Sequence, residues 1–217
     1  MGQKVSSYVL RLGINQDWQS RYFPDKEEQA NWLQQDWLIR DYLFSRFPEI
    51  TKVEIERTKV ELFVFVHSPN ISLITGESND NLDQILTKII NIVDNKKITT
   101  KLYLEEEKNI YSVAQAIAND LARKLESRIA WNTLRYDLLK KIANEKKIKG
   151  IEVKINGCLE KGGIAQHKTI SQGRMPSSTL IGSIEEAQAE ARTLYGQIGI
   201  EVKIYKGKEK KIKYVNT

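Results

Sequence analysis

The sequence predicts an α+β chain made of two successive units, each a sheet carrying helices. Three observations lead to that class. Val60, Leu62, Val64 and Val66 share one parity, so they line one face of a strand. Leu82, Ile85, Leu86, Ile89, Ile90 and Val93 fall at helical spacing, an apolar stripe along one helix face. From Ser112 to Asn144 there is neither glycine nor proline, and the Ile151, Val153, Ile155 alternation follows, so a long helix leads into a second sheet.

Taken in order, residues 1–24 read as an extended arm in which Gln3, Lys4, Arg11 and Arg21 alternate with Tyr8, Trp18 and Tyr22. Pro24 suits a helix start and Pro48 a stop, so a helix is expected between Pro24 and Phe47. Val53 to Arg57 and Val60 to His67 form a hairpin turning at Thr58-Lys59, and Phe63 and Phe65 on the opposite parity predict a strand covered on both faces. A short apolar segment, Ile71 to Ile74, leads through the loop Thr75-Gly76-Glu77-Ser78 to the stripe helix. Ile98 to Leu104 is a third strand. The charged run Glu105 to Asn109 marks the boundary between the units. After the long helix and the strand Lys149 to Gly157, one strand is expected between turns within Cys158 to Pro176. A short strand over Thr179 to Ile184, an Ala- and Glu-rich helix over Ile184 to Leu194, and a last strand over Gly199 to Lys206 complete the chain.

Composition narrows the chemistry. The 217 residues carry a net charge of +6, which favours polyanion partners. Lysines concentrate in the second half, over Lys140 to Lys154 and again over Lys203 to Lys213. No apolar run approaches the roughly 20 residues that span a bilayer, so no membrane partner is expected, and the amino terminus lacks a signal-peptide core. A single cysteine, Cys158, and two histidines, His67 and His167, leave no set for a structural metal or an internal disulfide. No catalytic constellation is evident: Glu105, Glu106 and Glu107 are consecutive and splay apart, and the glycines from Gly157 to Gly163 lack the Lys-Ser/Thr of a phosphate-binding loop. The sequence therefore predicts no enzyme, no cofactor and no metal.

Strand, short apolar segment, glycine-containing loop and amphipathic helix is the order of the KH RNA-binding module. That module uses a GXXG loop because glycine lets the backbone approach a phosphate closely. Here the loop is degenerate, Thr75-Gly76-Glu77-Ser78, and its acid repels phosphate.

Met1-Gly2-Gln3-Lys4-Val5, Leu10-Arg11-Leu12-Gly13-Ile14, Trp18 and Ser20 resemble the opening of the small-subunit ribosomal protein S three family, in its bacterial or organellar form. Ile39-Arg40, Val53-Glu54-Ile55-Glu56-Arg57, Lys149-Gly150-Ile151-Glu152-Val153, Gly173-Arg174-Met175-Pro176, Thr179-Leu180 and Tyr195-Gly196-Gln197-Ile198-Gly199-Ile200 continue in family order. The resemblance implies an arm (1–24), a type II KH-like domain (25–106), a C-terminal α/β domain of a long helix on an antiparallel sheet (107–207) and a basic tail (208–217). It implies binding of small-subunit rRNA in the head of the subunit, for which Gln3, Lys4, Arg11, Arg21, Arg174, Lys203 and Lys206 are the candidates. It also implies a place where messenger RNA enters, lined by Arg128, Asn132, Thr133 and Arg135. Asn132 and Thr133 stand where family members that open structured messenger RNA carry a basic pair. The implied neighbours are head proteins of families two, ten and fourteen, in a bacterial cytoplasm or an organelle. The alternative from the residues alone is a free-standing KH-type regulator or an assembly factor.

Overall fold

The computed structural model describes residues 5–76, 80–93, 98–107, 113–143, 145, 148–159 and 164–208. Its contacts divide the chain into one unit of Trp18–Lys108 and another that joins Met1–Asp17 to Asn109–Thr217.

The Trp18–Lys108 unit runs β1 (Ser20–Arg21), α1 (Gln29–Arg46), β2 (Lys52–Arg57), β3 (Glu61–Ser68), α2 (Ile71–Thr75), α3 (Asp80–Val93) and β4 (Thr99–Glu106). The sheet order is β1-β2-β3-β4. β2 and β3 form the expected antiparallel hairpin, with Ile55 opposite Val64. Its turn is held by the Thr58 hydroxyl, which accepts from the Val60 and Glu61 amides at 3.4 and 3.0 Å. β3 and β4 are parallel, so the chain must cross over between them, and α2 and α3 are that crossover. Alternation buries Val53, Ile55, Leu62, Val64 and Val66 against Ile39 and Leu43 of α1 and Ile85 and Ile89 of α3. Each such buried aliphatic contributes about 1.5–3 kcal/mol. The other face departs from the expectation: Phe63 and Phe65 are only half-buried and stack on an exposed Tyr103.

Within this core sits a polar knot. The Asp36 carboxylate, 1% exposed, accepts from the Ser20 hydroxyl at 2.9 Å and from Arg40 at 3.5 Å. Arg57 donates to Gln35 at 2.6 Å and lies 4.2 Å from the Trp32 ring centroid. Burial pushes the Asp36 carboxyl up, against the opposing pull of Ser20, Arg40 and Arg57.

The second unit holds α4 (Ala114–Glu126), α5 (Trp131–Ala143), β5 (Gly150–Gly157), β6 (Gln166–Gly173), β7 (Gly182–Thr193) and β8 (Gly196–Lys208). Its sheet is antiparallel in the order β6-β5-β8-β7. Small residues let α4 approach β7 closely: Ala114, Ala118 and Ala122 share one buried cluster with Ala187 and Ala191. α4 starts without a side-chain cap of its own, and Glu185 of β7 supplies one by accepting from the Ala114 amide at 3.0 Å.

Three expectations change here. The long helix is two helices, broken at Ser127–Ala130 because Arg128 adopts φ +62°. The Ala- and Glu-rich helix expected over Ile184 to Leu194 is strand β7, which pairs with β8 from Gly182 to Thr193. Helix propensity there is worth under about 1 kcal/mol per residue. A ladder that runs in register from Ile184 to Thr193, after a bulge at Ser183/Ile184, and buries Ile184, Ala187 and Ala191 outweighs it. The segment from Val5 to Asp17 is no extended arm. It forms a 3₁₀ turn at Val9–Arg11 and belongs with the second unit.

Candidate nucleic-acid interface

The degenerate loop keeps one geometric trait. Gly76 ends α2 with its amide donating to the Ser72 carbonyl at 3.0 Å, at φ +73° and ψ −178°. That region of backbone space is open to glycine alone. A Cβ at Gly76 would come within 2.8 Å of the Asn81 side-chain amide nitrogen. The Thr75 hydroxyl is turned back on the Ile71 and Ser72 carbonyls, both at 3.3 Å. Glu77 and Ser78 lie outside the described residues.

The helix break makes a second feature. The Ile129 amide donates to the Lys124 carbonyl at 3.1 Å and the Arg128 amide to the Leu125 carbonyl at 3.0 Å. This pair of bonds is the Schellman ending of α4, with arginine where glycine is usual. α5 restarts at once, pinned by buried Trp131 and Leu134, so Asn132, Thr133 and Arg135 point outward beside the exposed Arg128. The four predicted positions are all exposed at this corner of the unit, Arg128 in the turn before α5 and Asn132, Thr133 and Arg135 on its first turns, with Thr133 and Arg135 on different sides of the helix. Beneath it opens a cavity of about 750 Å³, whose walls include Leu125, Trp131, Leu159 and Ile198.

Arg174 is exposed, and its backbone is closely held. Its amide donates to the Lys149 carbonyl at 3.1 Å, and a Cβ on Gly150 would stand 2.1 Å from its carbonyl oxygen. Gly150 and Gly173 (φ +77°) thus let two backbones meet at this spot, a reason for glycine that spacing alone did not reveal.

Arg11 requires a correction. It is 0% exposed and cannot reach a phosphate. Its Nε donates to the Gly182 carbonyl at 2.7 Å, and its two terminal nitrogens to Ser7, Ser177 and Thr179 carbonyls at 2.8–3.0 Å. Burial pulls its pKa down, with Glu186 opposing. Interleaved basic and aromatic residues suggested a phosphate contact, but the residue is a fastener for the chain's own backbone.

Glu186, which sequence reasoning missed inside a supposed helix, accepts from the Ser7 amide and hydroxyl at 2.7 and 2.5 Å and from the Ser6 hydroxyl at 3.1 Å. Burial pushes its carboxyl up, but the bonds from Ser7 and Ser6 and the charge of Lys203 outweigh that and hold it below the usual range. Lys203 bridges Glu201 at 2.9 Å and Glu186 at 3.4 Å. Burial lowers its pKa, and these carboxylates more than restore it. Lys206 pairs with Glu185 at 2.5 Å, and Arg21 with Glu56 at 3.0 Å on a more exposed surface. Gln3 and Lys4 lie outside the described residues.

Among the described residues, no group of His, Cys, Asp or Glu side chains is placed to hold a metal ion, and no helix is long and apolar enough to cross a membrane.

A family model described as ribosomal protein S3, C-terminal domain, matches residues 121–204. Along the whole chain, the "small ribosomal subunit protein uS3" of Spiroplasma citri is 34% identical over 209 residues, covering 95% of this chain and 82% of that one. The protein of that name from Mycoplasma capricolum is 35% identical over 211 residues, covering 95% and 89%. That of Exiguobacterium sibiricum is 33% identical over 209 residues, covering 95% and 94%. Likeness at this level along both units makes the chain a member of the uS3 family, structural proteins of the small ribosomal subunit and not enzymes.

Proposed function

We propose that this protein holds small-subunit rRNA in the head of the subunit, in the cytoplasm of a bacterium, and helps form the mouth through which messenger RNA enters. The observation that carries the second part is the exposed corner of Arg128, Asn132, Thr133 and Arg135, fixed from below by Trp131 and Leu134. Two cations on a rigid helix start can track a phosphate backbone. Asn132 and Thr133 offer hydrogen bonds without charge, so the corner guides a strand more weakly than a fully basic one would.

The Trp18–Lys108 unit is a type II KH-like module in this reading. Its support is the order α1, β2, β3, α2, α3, β4, the parallel β3–β4 pair and a glycine-only turn after α2. With a single glycine in that loop, the module acts as a structural part and not as a clamp on single strands. For rRNA, Arg174 on its fixed backbone is the foremost contact. Gln3, Lys4, Arg21 and Lys206 are further contacts, the last two giving up a carboxylate to reach phosphate. Lys203 serves its own sheet first. Neighbouring head proteins of families two, ten and fourteen complete the surroundings.

A salt titration of RNA affinity tests this directly. Arg174→Ala is expected to reduce the slope of log K against log salt by about 0.7–0.9 on rRNA, and Arg128→Ala and Arg135→Ala, each alone, to do the same on messenger-like single strands. Unchanged slopes in all three variants would overturn the reading. Asn132→Lys with Thr133→Arg is expected to raise single-strand affinity, since it adds two charges to the same corner.

A further inference from the structure

Three stretches far apart in sequence build the cavity below the α4–α5 break. One wall comes from the end of α4 and the start of α5, one from the residues just past β5, and one from the β7–β8 turn. Its volume of about 750 Å³ falls in the range of about 300–1,000 Å³ usual for small-ligand sites. Leu125, Trp131 and Ile198 line it and belong to the buried core of the unit. Ile129, Leu194 and Tyr195 line it too, yet they remain 40%, 78% and 56% exposed. Apolar side chains left in water around an apolar hollow favour insertion of an apolar body.

Among the described residues, the charged side chains of the lining are Arg128, Arg192 and Glu126. Glu126 is engaged within the chain, because its Oε1 accepts from the Arg192 amide at 3.0 Å. The balance therefore favours a ligand with an apolar body and negative charge beside it. Arg128 holds its place at φ +62°, a conformation that glycine would adopt without strain. Local strain of this kind gathers where a side chain is used. Arg128 is also the residue that this cavity shares with the corner assigned to messenger RNA.

A nucleobase on its backbone has the required form. Its ring faces can stack on Tyr195 or pack on Ile129 and Leu194, while the adjoining phosphates stay outside with the guanidinium groups. An apolar protein side chain would use the walls but not the two arginines. Every base has a π-face, so such a cavity holds a strand of any sequence. A base inside a duplex would first have to leave its stack.

We infer that the cavity receives an unstacked base of the single strand passing Arg128, so that the corner grips the strand by a ring as well as by its phosphates. This rests on the messenger-RNA reading of the corner. It gives that corner, uncharged at Asn132 and Thr133, a second means of holding a strand that has already parted.

The test uses the full chain and two RNA strands of equal length, one intact and one with abasic sugars in place of its bases. The wild type is expected to bind the intact strand about tenfold more tightly. Ala130→Trp and, separately, Cys158→Trp each place a ring in the cavity. Each should reduce the preference to about twofold or less and leave the salt slope unchanged. A 4-thiouridine in the intact strand gives a readout on the wild type itself, with crosslinks expected in the peptides that carry Cys158 or Tyr195. Equal affinity for the two strands, a preference that survives in either folded variant, or crosslinks confined to other peptides overturns the inference. Those results leave the messenger-RNA reading standing where Arg128→Ala and Arg135→Ala lower the salt slope. Unchanged slopes in those two variants would take the strand off the corner, and the inference would fall with it.

Discussion

The Arg11 guanidinium and the Gly182 carbonyl, 171 positions apart in sequence, meet at 2.7 Å with the arginine fully buried. Four carbonyl oxygens accept from this one side chain, those of Ser7, Ser177, Thr179 and Gly182, and that of Thr179 has a second backbone donor, the Gly182 amide at 3.4 Å. Arg11→Met keeps the stem but strands the carbonyls, at about 1–3 kcal/mol for each acceptor left dry. Equilibrium unfolding in denaturant should show a net loss of about 3 kcal/mol. The same variant should leave the salt dependence of RNA binding unchanged, unlike Arg174→Ala. A lower slope for Arg11→Met would return Arg11 to the RNA surface.

Glu186 and Asp36 should respond to acid with opposite signs. The folded-state pKa of Glu186 is depressed, so its contribution is present above the ordinary glutamate value of 4.5 and is lost as pH falls through the folded value. The folded-state pKa of Asp36 is raised, so its contribution is full below the ordinary aspartate value of 3.8 and is lost as pH rises through the folded value. On acidification the wild type should lose stability relative to Glu186→Gln and gain it relative to Asp36→Asn. Denaturant midpoints from pH 7 down to the acid limit of folding read both curves.

Arg128 holds a left-handed backbone conformation that costs a non-glycine residue about 1–2 kcal/mol. Arg128→Gly should therefore raise stability by about 1 kcal/mol, and Arg128→Ile, β-branched, should lower it. Thermal unfolding checks the pair. If Arg128→Gly stabilises the fold yet weakens single-strand binding, the arginine is kept at this turn for its charge.

Gly76 calls for a different outcome. Its φ and ψ belong to glycine alone, so Gly76→Ala should cost about 1–3 kcal/mol in the Trp18–Lys108 unit. Trimming the neighbour with Asn81→Ala removes the 2.8 Å contact but not the backbone strain. The double variant should thus remain close to Gly76→Ala. Full rescue would assign the cost to crowding instead.

Sequence legibility followed the strength of local pattern. β2, β3, α3 and β5 were readable because their buried positions recur at a fixed period: Ile151, Val153 and Ile155 in one case, Ile85, Ile89 and Val93 in another. β7 was not readable, since Ala187 and Ala191 fit both periods and alanine and glutamate favour helix. The helix break was hidden because arginine, not glycine or proline, takes the left-handed turn. Of the candidate site, Asn132, Thr133 and Arg135 are close in space because they fall within about one turn of α5, whereas Arg128 comes from the turn before it. Arg11 and Glu186 could not be read at all: each is defined by partners far away in sequence.

The Arg11–Gly182 contact also sets a clock on synthesis. At about 5–20 residues per second, Gly182 follows Arg11 out of the peptidyl transferase by roughly 10–30 s. In that interval the whole of Trp18–Lys108 is made and can fold as an insertion within an unfinished unit. Arg11 is therefore made early and secured late, and the buried arginine spends its early life in water, waiting for a carbonyl that has yet to be translated.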